Sequence, residues 1–157
     1  MNYESMTSAQ LRNVYENAIN KGETGLAENI LALLCKAVLA ETVDNSAKTA
    51  EQLLESYAEG YLAVYETREA IERKRKKYTA SRTRTLFKNR GTIGAIVRNI
   101  EKSPSLGFKK LQAANLLEYS DEYLACLFPG LFPAAVYEKC KEILAAHDME
   151  TPKPVAL

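Results

Sequence analysis

Apolar residues recur along this chain at spacings of three and four, not two, which is the signature of amphipathic helices. Leu11, Val14, Tyr15, Ala18 and Ile19 follow that spacing behind a capping box, Thr7 to Gln10, and Gly22 supplies the stop. Thr24 is placed to cap a second helix carrying Leu26, Ile30, Leu33, Leu34, Ala37 and Val38. The short connection makes an antiparallel hairpin over residues 7–40. A second capping box, Thr49 to Gln52, opens a pattern that runs to about Tyr78, with Leu53, Leu54, Tyr57, Tyr61, Val64 and Tyr65 on one face. Thirty residues of helix span roughly 45 Å, so one end is expected to project beyond a small core. Gly60 lies within this pattern and weakens it by about 1 kcal/mol relative to alanine.

Beyond residue 80 the pattern predicts several short helices. One is capped by Ser81 and stopped by Gly91. Another is capped by Thr92, carries Ile93, Ile96, Val97 and Ile100, and ends at Ser103-Pro104. A third presents Phe108 and Leu111, and a fourth follows Ser120 with Tyr123, Leu124, Leu127 and Phe128. Proline in LFPGLFP starts the last helix, which buries Val136, Cys140, Ile143 and Leu144. No segment alternates strictly, and β-branched residues do not cluster. The expected fold is all-α, a single-domain helical bundle of six to eight helices with one long central helix. Residues 1–148 form the domain, with a hairpin at 7–40, the long helix at 46–78 and short helices at 81–148. Residues 149–157, with two prolines, are expected to be a flexible tail.

Composition places the chain among ordinary globular proteins: 157 residues, 46% hydrophobic and 26% charged. The N-terminus MNYESMTSAQ lacks a basic start and apolar core, so it does not read as a signal peptide. The most apolar window, LAENILALLCKAVLA, contains Glu28, Asn29 and Lys36 and is too short for a bilayer, so no membrane association is expected. Cys35, Cys126 and Cys140 are odd in number and widely spaced, which argues for reduced, buried thiols and a cytoplasmic location.

Charge changes the picture more than composition does. The net charge is +1, yet residues 68–110 hold 14 Lys or Arg against three Glu, and the remainder holds 7 basic against 17 acidic residues. Within RKRKKYTASRTRTLFKNRG, residues 73–91, nine cations face no acid. Wound as helix, Arg73, Lys74, Arg75, Lys76 and Lys77 surround the axis and leave no face for a core, because unpaired buried cations are very costly. Glu69 to Arg73 and Glu72 to Lys76 are favourable i,i+4 pairs, and cations suit a helix C-terminus. Two glutamates still cannot answer nine cations. The stretch therefore points to an anionic partner: DNA or RNA, an acidic protein surface, or a second copy in a homodimer. For nucleic acid the phosphate contacts would be Arg73, Lys74, Arg75, Lys76, Lys77, Arg82, Arg84, Lys88 and Arg90. Tyr78 and Phe87 are candidates for stacking, Phe87 being better suited to a core.

Other chemistry finds little support. TRTLFKNRGTIGAIVRNIEK partly fits a helix-turn-helix about Gly91, with Leu86, Val97 and Ile100 inward and only Thr92, Arg98, Asn99 and Lys102 as readers. Phe87 is bulky, and Arg90 charged, where that unit wants small and apolar residues. GTIGAIV lacks the lysine of a phosphate loop. His147 is the only histidine and suits a helix end better than a general base. One histidine and three scattered cysteines make no ordinary zinc site, so no metal, cofactor or catalytic residue is expected. Tyr57, Tyr61 and Tyr65 form an i, i+4, i+8 stripe that serves either the core or a dimer seam.

The blocks YTASRTRTLFKNRGTIGAIVRNIEKSPSLGFKKL and LACLFPGLFPAAVYEKCKEIL resemble an uncharacterised family of small bacterial helical proteins. The resemblance covers about the second half of the chain. It implies a bacterial, cytoplasmic origin and carries no activity or site residue.

Overall fold

The computed structural model describes residues 2–156, whose regular elements are all helices, with no strand among them. Among them are seven α-helices: α1 (Ser8–Asn20), α2 (Thr24–Thr42), α3 (Ala50–Glu72), α4 (Ser81–Glu101), α5 (Leu106–Ala113), α6 (Asp121–Leu127) and α7 (Ala134–Ala146). Short 3-10 turns cover Tyr3–Ser5, Leu117–Tyr119 and Pro129–Leu131. None of these helices is long and apolar enough to cross a membrane.

Both predicted capping boxes are present. Gln10 N donates to Thr7 Oγ1 at 3.2 Å and Thr7 N to Gln10 Oε1 at 2.9 Å. Gln52 N donates to Thr49 Oγ1 at 3.1 Å and Thr49 N to Gln52 Oε1 at 3.3 Å. Thr24 and Ser81, expected as caps, are instead first helical residues, and neither helix start has a side-chain cap. At α4 the backbone donor of Ala80 goes to Glu66 Oε2 of α3, at 2.7 Å.

Helix α3 is the longest and contributes to two hydrophobic clusters. Its Leu54, Ala58 and Tyr61 pack with Ile96, Ile100, Leu124, Cys140 and Leu144 of α4, α6 and α7. Its Val64 packs with Leu11, Ile30, Leu34, Phe108 and Leu111 of α1, α2 and α5. Gly60 stands where α2 crosses: a Cβ there would lie 2.6 Å from Leu39 Cδ1. The glycine costs helix propensity but permits this approach. The tyrosine stripe turns inward. Tyr61 is buried and meets Tyr57 and Tyr119 edge-on at 6.4 and 5.5 Å, and Tyr57 meets Phe128 at 5.8 Å.

The long helix stops at Glu72, short of the expected Tyr78. Arg75 N bonds back to Ala70 O at 2.8 Å and Lys74 N to Ile71 O at 3.1 Å, with Lys74 left-handed at φ 56°. This is the Schellman closure normally made by glycine. Gly22, at φ 73°, makes the same closure after α1, with Glu23 N on Ala18 O and Gly22 N on Ile19 O. A run with no apolar face gives a helix nothing to pack, so the chain turns away once the apolar positions end.

The expected break at Gly91 is present: α4 is two helical segments that meet at a kink, where Gly91 takes the non-helical angles φ 73°, ψ 168°. The C-terminal tail is not free. Val155 N donates to Leu127 O at 2.9 Å, and Met149 and Val155 pack against the core. Two prolines stiffen the intervening chain and reduce the entropy lost on docking.

Candidate functional site

The nine cations of residues 73–91 separate into two groups. Arg73 caps α3 and is tied down: its Nε lies 3.0 Å from Glu69 Oε2, and its guanidinium sits 4.5 Å above the Tyr78 ring. Tyr78 is thereby occupied as a stacking face. Arg84 is also committed, with Nε 3.0 Å from Glu66 Oε2 and Nη1 2.9 Å from Glu59 Oε1. The hydrogen bond to Glu66 and then that to Glu59 raise its pKa above the ordinary arginine value. Arg84 thus clamps α3 to α4, its guanidinium already held by two carboxylates. Lys74, Arg75, Lys76, Lys77, Arg82, Lys88 and Arg90 are all exposed. None of these seven has a carboxylate oxygen within 4.0 Å among the described residues.

Residues 73–77 therefore form a basic loop, not a projecting helix. Its course is set by a residue the sequence did not single out. The guanidinium of Arg12, on α1, donates to the carbonyl oxygens of Arg75 and Lys76, the latter at 2.8 Å. A cation holding the backbone of a cationic loop turns the loop's side chains toward water. The pairing inferred for Glu72 with Lys76 is absent, because Lys76 has left the helix; Glu72 lies 3.7 Å from Arg68.

Glu69 makes the i,i+4 pair with Arg73 that its spacing predicted and takes a second partner from α5. It is 1% exposed and joins α3 to α5, with Lys110 Nζ 2.9 Å from both carboxylate oxygens. Burial pushes its carboxyl up, and the bonds from Lys110 and Arg73 more than offset this and hold it below the ordinary range.

The helix-turn-helix reading loses one reader. Asn99 Nδ2 donates to Asp121 Oδ2 at 2.8 Å, so its amide faces the protein. Phe87 packs on the core, as its character suggested. His147 caps α7 at its C-terminal end, its Nδ1 3.2 Å from Gln112 Nε2 and its ring against Phe108. The three cysteines are buried free thiols, and no group of three or more His, Cys, Asp or Glu gathers as a metal site among the described residues.

Beside the basic loop lies a cleft of about 640 Å³ between α3, both ends of α4, α5 and the start of α6. Tyr61, Tyr65, Phe108, Leu111 and Tyr119 line its walls, and Asn99, Asp121 and Glu122 also line it. Arg82, Lys102 and the exposed Leu106 contribute the solvent-facing lining. Glu122 is 2% exposed, and its Oε2 has no hydrogen-bond partner. Burial, followed by the neighbouring Asp121, pushes its carboxyl up to about 8. Burial also takes Asp121 to about 6, against the opposing bond from Asn99. The sequence shows Asp-Glu in the first turn of a helix, where acids are ordinary dipole partners. Nothing local marked the pair as enclosed.

Comparison with protein-family models, curated proteins and solved structures gave no match.

Proposed function

We propose that this protein is a non-catalytic module that binds nucleic acid through its phosphates. The observation that carries the reading is the set of seven exposed cations, Lys74 to Lys77, Arg82, Lys88 and Arg90, without carboxylate partners in a chain otherwise rich in acids. Acidic side chains of the same protein were available to neutralise them. They neutralise Arg73 and Arg84 instead. Keeping like charges together in water costs free energy, and a polyanion offsets that cost through counterion release. The loop and the first half of α4 supply phosphate contacts. Base reading has little support, since Asn99 faces inward and Tyr78 lies beneath Arg73.

Titration of random duplex and single-stranded DNA and RNA tests the reading. Seven phosphate contacts predict an affinity loss on the order of 10⁴ for duplex and 10³ for single strands between 50 and 200 mM salt. Absence of binding to all of these at 50 mM salt overturns it. A homodimer is the second reading, favoured by the opposite charge of the remaining chain, whose acidic surface on a second copy would face the loop. Sedimentation at low and high salt separates the two: self-association without nucleic-acid binding supports the dimer.

A further inference from the structure

The free cations run into the aromatic cleft. Residues 78–83, which follow the basic loop directly, all line it. Arg82, one of the seven, stands on its solvent side with Lys102. Lys102 is exposed too and has no carboxylate oxygen within 4.0 Å among the described residues. The cleft volume of about 640 Å³ falls in the range of sites that take a small aromatic group.

Two apolar surfaces at this cleft lack a full partner in the protein. Leu106, the first residue of α5, is 70% exposed, and Ile19 on α1 is the only other exposed large apolar side chain among the described residues. Tyr65 of α3 is half-buried and meets no other aromatic ring, whereas Tyr61, Tyr119 and Phe108 each meet one. The two surfaces adjoin: a Cβ on Gly107, next to Leu106, would lie 3.9 Å from Tyr65 Cε2. Apolar surface in water gains from being covered. Beside a row of free cations, the matching cover is an aromatic group carried on a polyanion. A single-stranded nucleic acid offers this, because its unstacked bases present their faces, whereas a duplex keeps them stacked inside.

We propose, resting on the phosphate reading above, that the partner is a single strand. The cleft holds one of its bases against Tyr65 and Leu106, and the flanking phosphates lie on Arg82, Lys102 and the basic loop. The base enters and the phosphates stay outside, since Asp121 and Glu122 also line the cleft and would repel them. The base is held by its face, not read at its edge. Ser105 Oγ already accepts from Phe108 N at 3.1 Å, Ser120 Oγ accepts from Tyr123 N at 3.2 Å, and the Asn99 amide donates to Asp121. Stacking of this kind tolerates every base.

Fluorescence anisotropy with the full chain, at about 50 and 150 mM salt, tests this. The probes are end-labelled strands of about 12 thymidines or uridines, an abasic strand of the same length, and a random duplex of that length. The tighter of the two base-bearing strands is expected to bind about tenfold more strongly at the higher salt than the abasic strand or the duplex. Leu106→Ala, at an exposed position, is expected to stay folded and to lose several-fold affinity for that strand while binding the abasic strand as before. Tyr65→Ala is expected to lose about tenfold, and Tyr65→Phe, which keeps the ring, to bind like the parent. Equal affinity for base-bearing and abasic strands overturns the base site and leaves phosphate binding standing. So does a duplex bound as tightly as the strands, or an unchanged strand affinity in Leu106→Ala. Absence of binding to every probe at the lower salt overturns both readings.

Discussion

Lys110 of α5 grips the buried Glu69 of α3, its Nζ 2.9 Å from each carboxylate oxygen. Arg73 reaches the same carboxylate from the end of α3, at 3.0 Å. One buried acid therefore fixes the packing of α5 and the point where the basic loop leaves its helix.

Removing Lys110 leaves the Glu69 charge buried and less well answered. Lys110→Met is expected to cost about 2–4 kcal/mol in urea unfolding at neutral pH, at the low end of a broken buried pair because Lys110 is partly exposed. Arg73→Met, at an exposed site screened by water, is expected to cost clearly less than Lys110→Met. The folded pKa of Glu69 is depressed, so its contribution is present above its unfolded value of 4.5 and is lost as pH falls through the lower folded value. Lys110→Met should accordingly flatten the acid limb of the stability curve below pH 4.5.

Glu122 has the opposite sign. Its folded pKa is raised, so the folded state holds a proton that the unfolded state releases, and stability declines as pH rises from 4.5 to about 8. Glu122→Gln removes this decline. Its stability relative to the parent is expected to rise by up to about 1.4 kcal/mol per pH unit across that window and to level off above it. Parallel stability curves for the two proteins from pH 5 to 8 would refute the assignment.

Lys74 occupies, at φ 56°, the turn position that Gly22 fills after α1. Lys74→Gly relieves left-handed strain at that step, while the glycine gains unfolded-state freedom. A net stabilisation of about 0.5–1 kcal/mol is expected from thermal or urea unfolding. The salt slope of nucleic-acid binding should fall by about one contact in the same variant.

Gly60→Ala tests the approach of α2 to α3. Helix propensity favours alanine, but its Cβ would meet Leu39 Cδ1 at 2.6 Å. Leu39 Cδ1 is the end of a side chain that can turn aside, so the clash and the propensity gain are expected to offset to within about 1 kcal/mol, with the gain alone remaining in a Leu39→Ala background. Equal effects in the two backgrounds would mean that the contact plays no part.

The basic residues divide into binding and structural groups by measurement. Replacing Lys74, Arg75, Lys76 and Lys77 with glutamine is expected to reduce the salt slope by about 3 to 4 without loss of stability. Arg84→Gln is expected to leave the slope nearly unchanged and to destabilise the fold, since its guanidinium is held by Glu66 and Glu59. A large slope change in Arg84→Gln alone would reverse these roles.

By itself the amino-acid sequence determined the helices, the capping boxes at Thr7 and Thr49, the Gly22 stop and the apolar faces that build the two clusters. These rest on contacts three or four residues apart, which a linear pattern records. It also carried the charge polarity between residues 68–110 and the rest. The tertiary structure alone decided which cations are free. Arg84 meets Glu66 across 18 residues, Lys110 meets Glu69 across 41, and Arg12 meets the carbonyl of Lys76 across 64. It likewise decided that Asp121 and Glu122, unremarkable as a first helical turn, line a cleft with aromatic walls. A charge's partner and its burial depend on chain segments brought together only by packing, and no local spacing encodes them.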